Sequence, residues 1–286
     1  MFTADGWRDY ALLDASRGER LERWGKYILV RPDPQVIWDT ERVLPEWSAP
    51  DARYDRGASG GGQWTRRSLP ESWRVGYREL RFTVRPTSFK HTGLFPEQAA
   101  NWDFIADKIQ NAGREISALN LFAYTGAASL AAASAGASVC HVDAARGMVA
   151  WARDNATLSG LADKPVRWLV DDCVKFLERE IRRGRRYDAI MMDPPSYGRG
   201  PSGETWKLED DLWNLVSLAA RVLSGKPLFV IINSYTTGLS PATLTYIAQS
   251  LITKRFGGAA RSGELGLRVE SSGLYLPCGA ACRWES

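Results

Sequence analysis

The feature that most constrains the fold of this chain is a regular alternation of helical segments and short apolar runs after residue 96. The apolar runs lie at 117–122, 137–143, 166–170, 187–192 and 227–233. Segments with apolar residues at helical spacing lie at 97–112, 127–135, 147–158, 174–183, 207–223 and 241–254. This order predicts an α/β fold with a mostly parallel sheet and helices on both faces. The tail, 265–284, predicts two further strands around 271–273.

The first 88 residues follow a different pattern. Short aromatic segments at 10–14, 26–30 and 81–85 predict strands, and prolines interrupt the stretches between them. The run 57–62 (Gly-Ala-Ser-Gly-Gly-Gly) predicts a flexible loop, because Gln63 and Trp64 follow it where a phosphate-binding loop would have Gly-Lys-Ser/Thr. We therefore predict a small β-rich domain at 1–88 and an α/β domain at 89–286.

Composition narrows the class of protein but not its partner. The chain has 29 Arg and 8 Lys, which fits either nucleic-acid contact or codon bias, and its net charge of +4 favours no partner. The cysteines are Cys140, Cys173, Cys278 and Cys282. We expect no metal, because Cys278 and Cys282, four residues apart, have no matching His/Cys pair. Without a signal-like segment or an apolar run of about 20 residues, we expect a cytoplasmic protein with reduced thiols and no membrane association.

Two turns after predicted strands carry groups suited to a nucleoside. The turn at 122–129 leads into a helix N-terminus, which suits an anion or a carboxylate, and it lacks the Gly-x-Gly-x-x-Gly of dinucleotide sites. The next strand ends at Asp143, roughly 20 residues further on, where a carboxylate can accept hydrogen bonds from ribose hydroxyls. A tightly packed turn and a helix N-cap remain the alternative interpretations.

Two later turns carry further acceptors. Asp171, Asp172 and Cys173 open a helix, where a carboxylate either meets an adenine amino group or caps the helix. The turn at 193–197 is Asp-Pro-Pro-Ser-Tyr, whose two prolines fix an extended backbone. Its carbonyls and carboxylate can accept hydrogen bonds from an amino group, and its Tyr can stack on a planar base. A simple proline bend is the alternative.

These motifs resemble a known family. The stretches Asn-Leu-Phe-Ala-Tyr-Thr-Gly at 120–126 and Asp-Pro-Pro-Ser-Tyr at 193–197 are similar to the first and fourth motifs of class I S-adenosylmethionine-dependent methyltransferases. The match is with the large-subunit ribosomal RNA base methyltransferases and their uncharacterised bacterial relatives. The stretch 89–98, Phe-Lys-His-Thr-Gly-Leu-Phe-Pro-Glu-Gln, resembles their Lys-Thr-Gly-Phe-Phe-x-Asp-Gln segment. The resemblance runs from about Phe89 to the C-terminus and implies a Rossmann-like class I methyltransferase sheet, with an antiparallel C-terminal hairpin.

The resemblance also implies S-adenosylmethionine as cofactor, RNA as substrate and a role for each matching residue. The methionine part of the cofactor would lie among Phe122, Tyr124, Thr125 and Gly126. The ribose would lie on Asp143, and the adenine on Asp172 and the backbone of Cys173. The upstream residues that would close over the cofactor are Lys90, Thr92, Gly93, Phe95 and Gln98. The catalytic residues, facing the methyl group and the substrate, would be Asp193, Pro194, Pro195 and Tyr197.

One departure from the family bears on the target atom. Family members that methylate cytosine C5 use a Cys nucleophile after the fifth strand or near the fourth motif. Here the fifth predicted strand leads into Asn-Ser-Tyr-Thr-Thr-Gly at 233–238, and Cys278 is the remaining candidate, with a packed hairpin residue as the alternative. Transfer to nitrogen needs mainly alignment, so we expect a base nitrogen rather than cytosine C5.

Two Arg-rich regions can contact phosphate. The segment 178–186 holds five Arg among nine residues, which predicts either a phosphate contact or a solvated helix end. Several Arg residues of the N-terminal part predict either an RNA-binding surface or exposed strand faces: Arg66, Arg67, Arg74, Arg78, Arg81 and Arg85.

Three other functions stay open on the sequence. A methyltransferase for a protein or a small molecule would keep the cofactor residues and differ at the substrate. A nicotinamide-dependent oxidoreductase would need a Gly-rich first turn, which is absent. A non-enzymatic RNA-binding module is the third. The sequence indicates neither the target nucleotide nor the oligomeric state.

Overall fold

The computed structural model describes residues 1–57, 61–199 and 205–286. The chain forms two compact units. The α/β unit comprises Met1–Phe2, Asn101–Leu265 and Gly279–Ser286, and the β-rich unit comprises Thr3–Ala100 and Gly266–Cys278. The boundary predicted between residues 88 and 89 stays a prediction about functional domains. The loop predicted at 57–62 falls mainly on residues 58–60, outside the described residues.

The N-terminal strands, in chain order, are β1 Phe2–Thr3, β2 Tyr10–Ser16, β3 Glu19–Trp24, β4 Tyr27–Pro32, β5 Ala52–Arg56, β6 Gly62–Arg66, β7 Trp73–Tyr77 and β8 Leu80–Val84. In the β-rich unit, β2 to β6 form one sheet in chain order, and β7 pairs with β8. Short 3₁₀ turns cover Pro45–Trp47 and Pro96–Gln98. The strands predicted at 10–14, 26–30 and 81–85 are confirmed as β2, β4 and β8.

The charged strand β3 was missed because its sequence, Glu-Arg-Leu-Glu-Arg-Trp, has an unusual polar interior. Glu22 is fully buried and Arg31 is almost so. The Arg31 guanidinium donates to both carboxylate oxygens of Glu22, at 2.6 and 2.7 Å. Burial alone would raise the pKa of Glu22, but the Arg20 and Arg31 charges bring it to about 2. Paired charges therefore take the place of an apolar side chain, which no hydrophobic pattern reveals.

The remaining elements follow the predicted alternation, except that the short strands β13 and β14 were not predicted. The strands are β9 Ser117–Leu121, β10 Ser138–Asp143, β11 Val166–Val170, β12 Ala189–Met192, β13 Tyr197–Arg199, β14 Thr205–Lys207, β15 Phe229–Ser234, β16 Ala259–Arg268 and β17 Tyr275–Glu285. The helices are α1 Ala99–Gln110, α2 Ala127–Ser134, α3 Arg146–Leu158, α4 Cys173–Arg182, α5 Leu208–Arg221, α6 Pro241–Ala248 and α7 Lys254–Phe256. A π-helical segment, Gln249–Thr253, joins α6 to α7.

The main sheet confirms the predicted α/β class. Its strand order is β1-β16-β17-β15-β12-β9-β10-β11. The strands from β15 to β11 are parallel, whereas β17 is antiparallel to β15. Buried residues of α4, α5 and α6 form one core with the sheet, including Phe176, Leu215 and Leu244. Among the described residues, no helix is long and apolar enough to cross a membrane.

Candidate active site

The candidate site lies where the strand order of the sheet reverses. From β9 the chain proceeds to β10 and β11 on one side, whereas β12 and β15 lie on the other side. Ligands of such sheets bind outside the carboxyl ends of the strands at this switch point. Leu121 and Met192, which end β9 and β12, are direct partners in the sheet. The first and fourth turns therefore begin side by side, and the Asp193 amide donates to the Leu121 carbonyl at 3.4 Å.

The first turn holds two large residues in a rare backbone conformation. Phe122 has φ +54° and Tyr124 has φ +49°, in the left-handed region that bulky residues seldom adopt. The Ala123 amide between them donates to the Val142 carbonyl of β10 at 3.1 Å. Such strain, held in place by neighbouring structure, is concentrated in ligand-binding and active sites.

Packing against α3 fixes the end of the first turn. Gly126 has φ +91°, and a Cβ at this position would lie 2.8 Å from the Ala152 Cβ, so only Gly fits. The buried Asn155 of α3 donates from Nδ2 to the Thr125 carbonyl at 3.0 Å. No motif or spacing in the sequence singles out Asn155, whose partner is 30 residues away.

Asp143 connects the second turn to the first. One carboxylate oxygen accepts from the Tyr124 amide and the other from the Ala145 amide, each at 2.8 Å. Burial raises the pKa of Asp143, and these two amide bonds lower it in part. The carboxylate is thus fixed toward the first turn, and each oxygen keeps a second lone pair with which to accept a ligand hydroxyl.

At the third turn, one of the two carboxylates caps the helix. Asp172 is the N-cap of α4, and its Oδ1 accepts from the Lys175 amide at 2.8 Å. The neighbouring Cys173 is buried, and its Sγ lies 3.3 Å from the Phe122 amide. Burial raises the pKa of this thiol well above its usual range. Cys173 therefore supports the first turn as a neutral thiol.

The fourth turn is contacted by an aromatic residue that the sequence did not indicate. The Trp206 Nε1 donates to the Pro195 carbonyl at 2.6 Å, and its ring lies 5.5 Å from that of Phe122. Trp206 is in β14, which pairs with β13, so it lies opposite Gly198. This hairpin ties the fourth turn to the first. The carbonyl of Pro195, predicted to accept from a substrate, accepts from Trp206 in the protein itself.

The rest of the fourth turn is partly buried, and its Ser196 is hydrogen-bonded to the segment that follows β15. The Thr236 hydroxyl donates to the Ser196 hydroxyl at 2.8 Å. Pro194 is buried, Asp193 is half-buried and Tyr197 is 52% exposed. Tyr197 therefore offers an accessible ring next to the buried part of the turn, as stacking on a base requires.

The upstream predicted residues belong to the β-rich unit. The Lys90 ammonium donates to the Pro32 carbonyl at 3.1 Å, and burial lowers the pKa of Lys90 to about 8. The Arg31 guanidinium donates to the Lys90 carbonyl at 3.0 Å. The segment is thus anchored on the buried Glu22–Arg31 pair.

The other four upstream residues follow in the same segment. Thr92 is fully buried, and its carbonyl accepts from the Arg85 amide at 3.0 Å. Gly93 has φ +91°, and the Gln98 amide donates to the Phe95 carbonyl at 3.1 Å. The structure therefore groups these residues with each other, while the four turns are grouped in the α/β unit.

The cysteines are free thiols, and Cys278 has the wrong environment for a nucleophile. Burial is the main cause that raises the pKa of Cys278 well above its usual range. A reactive Cys needs the opposite shift, because the thiolate is the nucleophile. Within the described part of the chain, no three His, Cys, Asp or Glu residues are placed to hold a metal ion.

Comparison with known proteins gives the family. A model of the S-adenosylmethionine-dependent methyltransferase family matches residues 45–245. The chain is 35% identical over 146 residues to a ribosomal RNA large subunit methyltransferase K/L of Shewanella baltica, which is 50% of this chain and 20% of that protein. The same enzyme of Shewanella frigidimarina is 31% identical over 146 residues, 51% of this chain and 19% of that protein. The chain thus spans about a fifth of the length of these curated relatives.

Similar solved structures cover a larger part of this chain than the curated relatives do. A methyltransferase from Agrobacterium tumefaciens is 37% identical with a TM-score of 0.93, covering 99% of this chain and 92% of that one. A putative methyltransferase from Streptococcus mutans shares the fold, with 17% identity, a TM-score of 0.75 and coverage of 99% and 76%. Because the family model matches more than half of the chain, this protein belongs to the S-adenosylmethionine-dependent methyltransferases, and its cofactor is S-adenosylmethionine.

Proposed function

We propose that this enzyme methylates a base nitrogen in RNA, with ribosomal RNA as its substrate. The observation that carries the proposal is the fourth turn, where Asp193 and two prolines lie beside the strained first turn at the switch point of the sheet. A hydrogen-bond acceptor next to an exposed aromatic ring suits an amino-bearing base. The ribosomal assignment depends on the names of the Shewanella relatives. It implies the cytoplasm as the place of action.

The α/β unit fits the cofactor. We assign the methionine part to the first turn, where Phe122, Tyr124, Thr125 and the tightly packed Gly126 precede the N-terminus of α2. The α2 N-terminus attracts the methionine carboxylate. Asp143, fixed by two backbone amides, would accept from the ribose hydroxyls.

We assign the adenine to the third turn. Asp172 uses Oδ1 to cap α4, so its second oxygen would accept from the adenine amino group, beside the backbone of Cys173. The cap fixes that carboxylate before any ligand arrives. By the resemblance, we also assign Lys90, Thr92 and Gly93, together with Phe95 and Gln98, to cofactor binding.

Transfer would then depend on alignment by the fourth turn. When bound, S-adenosylmethionine supplies an electrophilic methyl group. The Asp193 carboxylate and the Pro194 carbonyl would accept hydrogen bonds from the substrate amino group and direct its lone pair at that carbon. The amino group would lose its proton toward the Asp193 carboxylate as the new N–C bond forms and the S–C bond breaks. Pro195 would shape the turn and Tyr197 would stack on the base.

We infer the target atom from the environment of the thiols in the part of the chain that the structure describes. Methylation at cytosine C5 needs a thiolate that adds to the ring. All four thiols have raised pKa values, and all but the half-buried Cys278 are buried. An amino nitrogen needs no covalent intermediate, so alignment alone is sufficient.

RNA as the polymer is supported by exposed basic residues. Each of the six Arg residues predicted for the N-terminal part is exposed in the β-rich unit. Guanidinium groups pair with phosphate and stack on bases, and such contacts position an RNA without reading its sequence. We therefore propose that residues 1–88 take part in substrate recognition.

The test is transfer of labelled methyl from S-adenosylmethionine to bacterial total RNA and to a protein extract in parallel. Label that is lost on nuclease treatment and retained after protease treatment is the expected result. Label that is lost on protease treatment, or found only in small molecules, would overturn the RNA assignment. The Asp193→Ala variant should keep its affinity for S-adenosylhomocysteine while turnover falls at least about 100-fold, the scale of general acid–base contributions. Binding of NADH instead of S-adenosylhomocysteine would favour the oxidoreductase alternative.

A further inference from the structure

A basic cleft lies at the amino ends of the strands, opposite the carboxyl ends that carry the four turns. It has a volume of about 450 Å³ and lies at the amino ends of β9, β10 and β11, between Ser117, Ser138 and Val166. Its lining includes no Asp or Glu. Four cationic residues line it: Lys164, Arg167, Arg185 and Arg186.

Two of the five Arg residues in the segment 178–186 line this cleft. Helix α4 ends at Arg182, and the chain then turns at Gly184, which has φ +66°. This turn brings Arg185 and Arg186 to the same cleft as Lys164 and Arg167, which lie just before and inside β11. Two separate segments of chain therefore supply the positive charge, so it is not simply the end of one helix.

In the described part of the chain, arginines near the cleft form salt bridges with acidic residues, whereas the cations of the cleft do not. Arg179 pairs with Asp171, Arg183 with Glu180 at 3.1 Å, and Arg114 with Asp188 at 3.0 Å. In contrast, none of the four cleft cations forms a salt bridge with any acid among the residues the structure describes. All four are exposed. Like charges held close together without counter-charges attract an anion from solution.

The position of the cleft favours a polymer over a small anion. Strand β11 is the last strand on its side of the sheet, so Lys164 and Arg167 place part of the cleft at a corner of the sheet. A five-residue strand spans roughly 13–17 Å, which separates the cleft from the carboxyl edge by a few nucleotides of extended backbone. A strand of RNA with its base at the fourth turn can therefore continue past β11 and place phosphates in the cleft.

We propose that this cleft is a second RNA-binding surface that holds backbone phosphates away from the methylated base. The inference rests on the proposed function, since the phosphates belong to the same RNA. Its contacts are with phosphate only, so they add affinity without sequence preference. The cleft is not part of the reaction centre, and removing its charges leaves the chemistry intact.

The experiment compares the double variant Arg167→Gln and Arg185→Gln with the control variant Arg153→Gln. Arg153 is exposed on α3 and outside the cleft. Binding to in vitro transcribed large-subunit ribosomal RNA is measured from 50 to 200 mM salt. The double variant should lower the slope of log affinity against log salt by about 1.4, that is about 0.7 for each lost single-strand phosphate contact. KM for RNA should rise, while kcat and S-adenosylhomocysteine affinity should match wild type.

Other outcomes would overturn the proposal in distinguishable ways. If wild type methylates RNA and the double variant keeps the RNA affinity and salt slope of the control, the cleft is not an RNA surface. If the double variant loses binding to tripolyphosphate but not to RNA, the cleft is a small-anion site. If wild type neither binds nor methylates RNA, the proposed function fails, and this inference fails with it.

Discussion

Replacing Gly126 by Ala tests whether the first turn is held in a single functional conformation. Gly126 has φ +91°, and a methyl group at this position would lie 2.8 Å from Ala152 Cβ and 3.2 Å from Leu130 Cδ1. The left-handed backbone costs an Ala roughly 1–2 kcal/mol. Forcing a methyl group into a packed site costs roughly 1–3 kcal/mol more. We therefore expect Gly126→Ala to lower the free energy of unfolding by about 2–5 kcal/mol.

Gly136 is a matched control that separates the cost of the left-handed backbone from the cost of packing a methyl group. Gly136 has φ +104°, and a Cβ there would meet nothing within 4 Å. Gly136→Ala should therefore lose only the roughly 1–2 kcal/mol of backbone strain. Urea unfolding measures both variants, and calorimetry measures S-adenosylhomocysteine binding. Gly126→Ala should bind at least about tenfold more weakly, a loss of about 1.4 kcal/mol, whereas Gly136→Ala should bind normally. Equal stability and equal binding for the two variants would refute the argument.

Other contacts in the protein lead to three further predictions. Asp143→Ala and a ligand without ribose hydroxyls (2′,3′-dideoxy-S-adenosylhomocysteine) form a double-mutant cycle of binding free energies measured by calorimetry. The coupling energy should be about 1–3 kcal/mol, and additive losses of binding free energy would contradict the ribose assignment. Trp206→Phe should lower kcat roughly two- to tenfold, because it removes the hydrogen bond to the Pro195 carbonyl. The control variant Trp213→Phe, at an exposed position, should leave kcat unchanged. Burial lowers the pKa of His141 to about 3, so unfolding takes up a proton below pH 6.5. The free energy of unfolding therefore decreases as the pH is lowered. The stability advantage of wild type over His141→Asn should thus narrow from pH 7 to 5 by up to about 1.4 kcal/mol per unit in urea unfolding; a constant difference would refute this.

The α/β sheet was predictable because local signals repeat there. The five parallel strands are short, mainly apolar runs, and most of the helices have apolar residues on one face, so order and type follow from periodicity. The turns were also predictable, because a parallel sheet brings the carboxyl ends of its strands to one edge. Gly136, just after α2, is such a local signal, since a glycine in the left-handed conformation ends a helix.

The contacts between turns were not predictable, because they join residues far apart in the chain. Asp143 was expected to face a ligand, but its bond to the Tyr124 amide 19 residues away depends on the sheet register. Trp206 reaches the site through a three-residue strand too short to produce a pattern. In the β-rich unit, β3 buries ion pairs where a strand pattern would have apolar residues.

The central claim is methylation of a base nitrogen in ribosomal RNA, and nucleoside mass spectrometry of that RNA tests it most directly. Ribosomal RNA from a strain that lacks this protein is digested to nucleosides and compared with RNA from the parent and from a strain complemented with wild type. The account predicts that one N-methylated nucleoside is lost in the deletion, restored by wild type and not restored by Asp193→Ala. Loss of 5-methylcytidine instead, or an unchanged nucleoside profile, would contradict it.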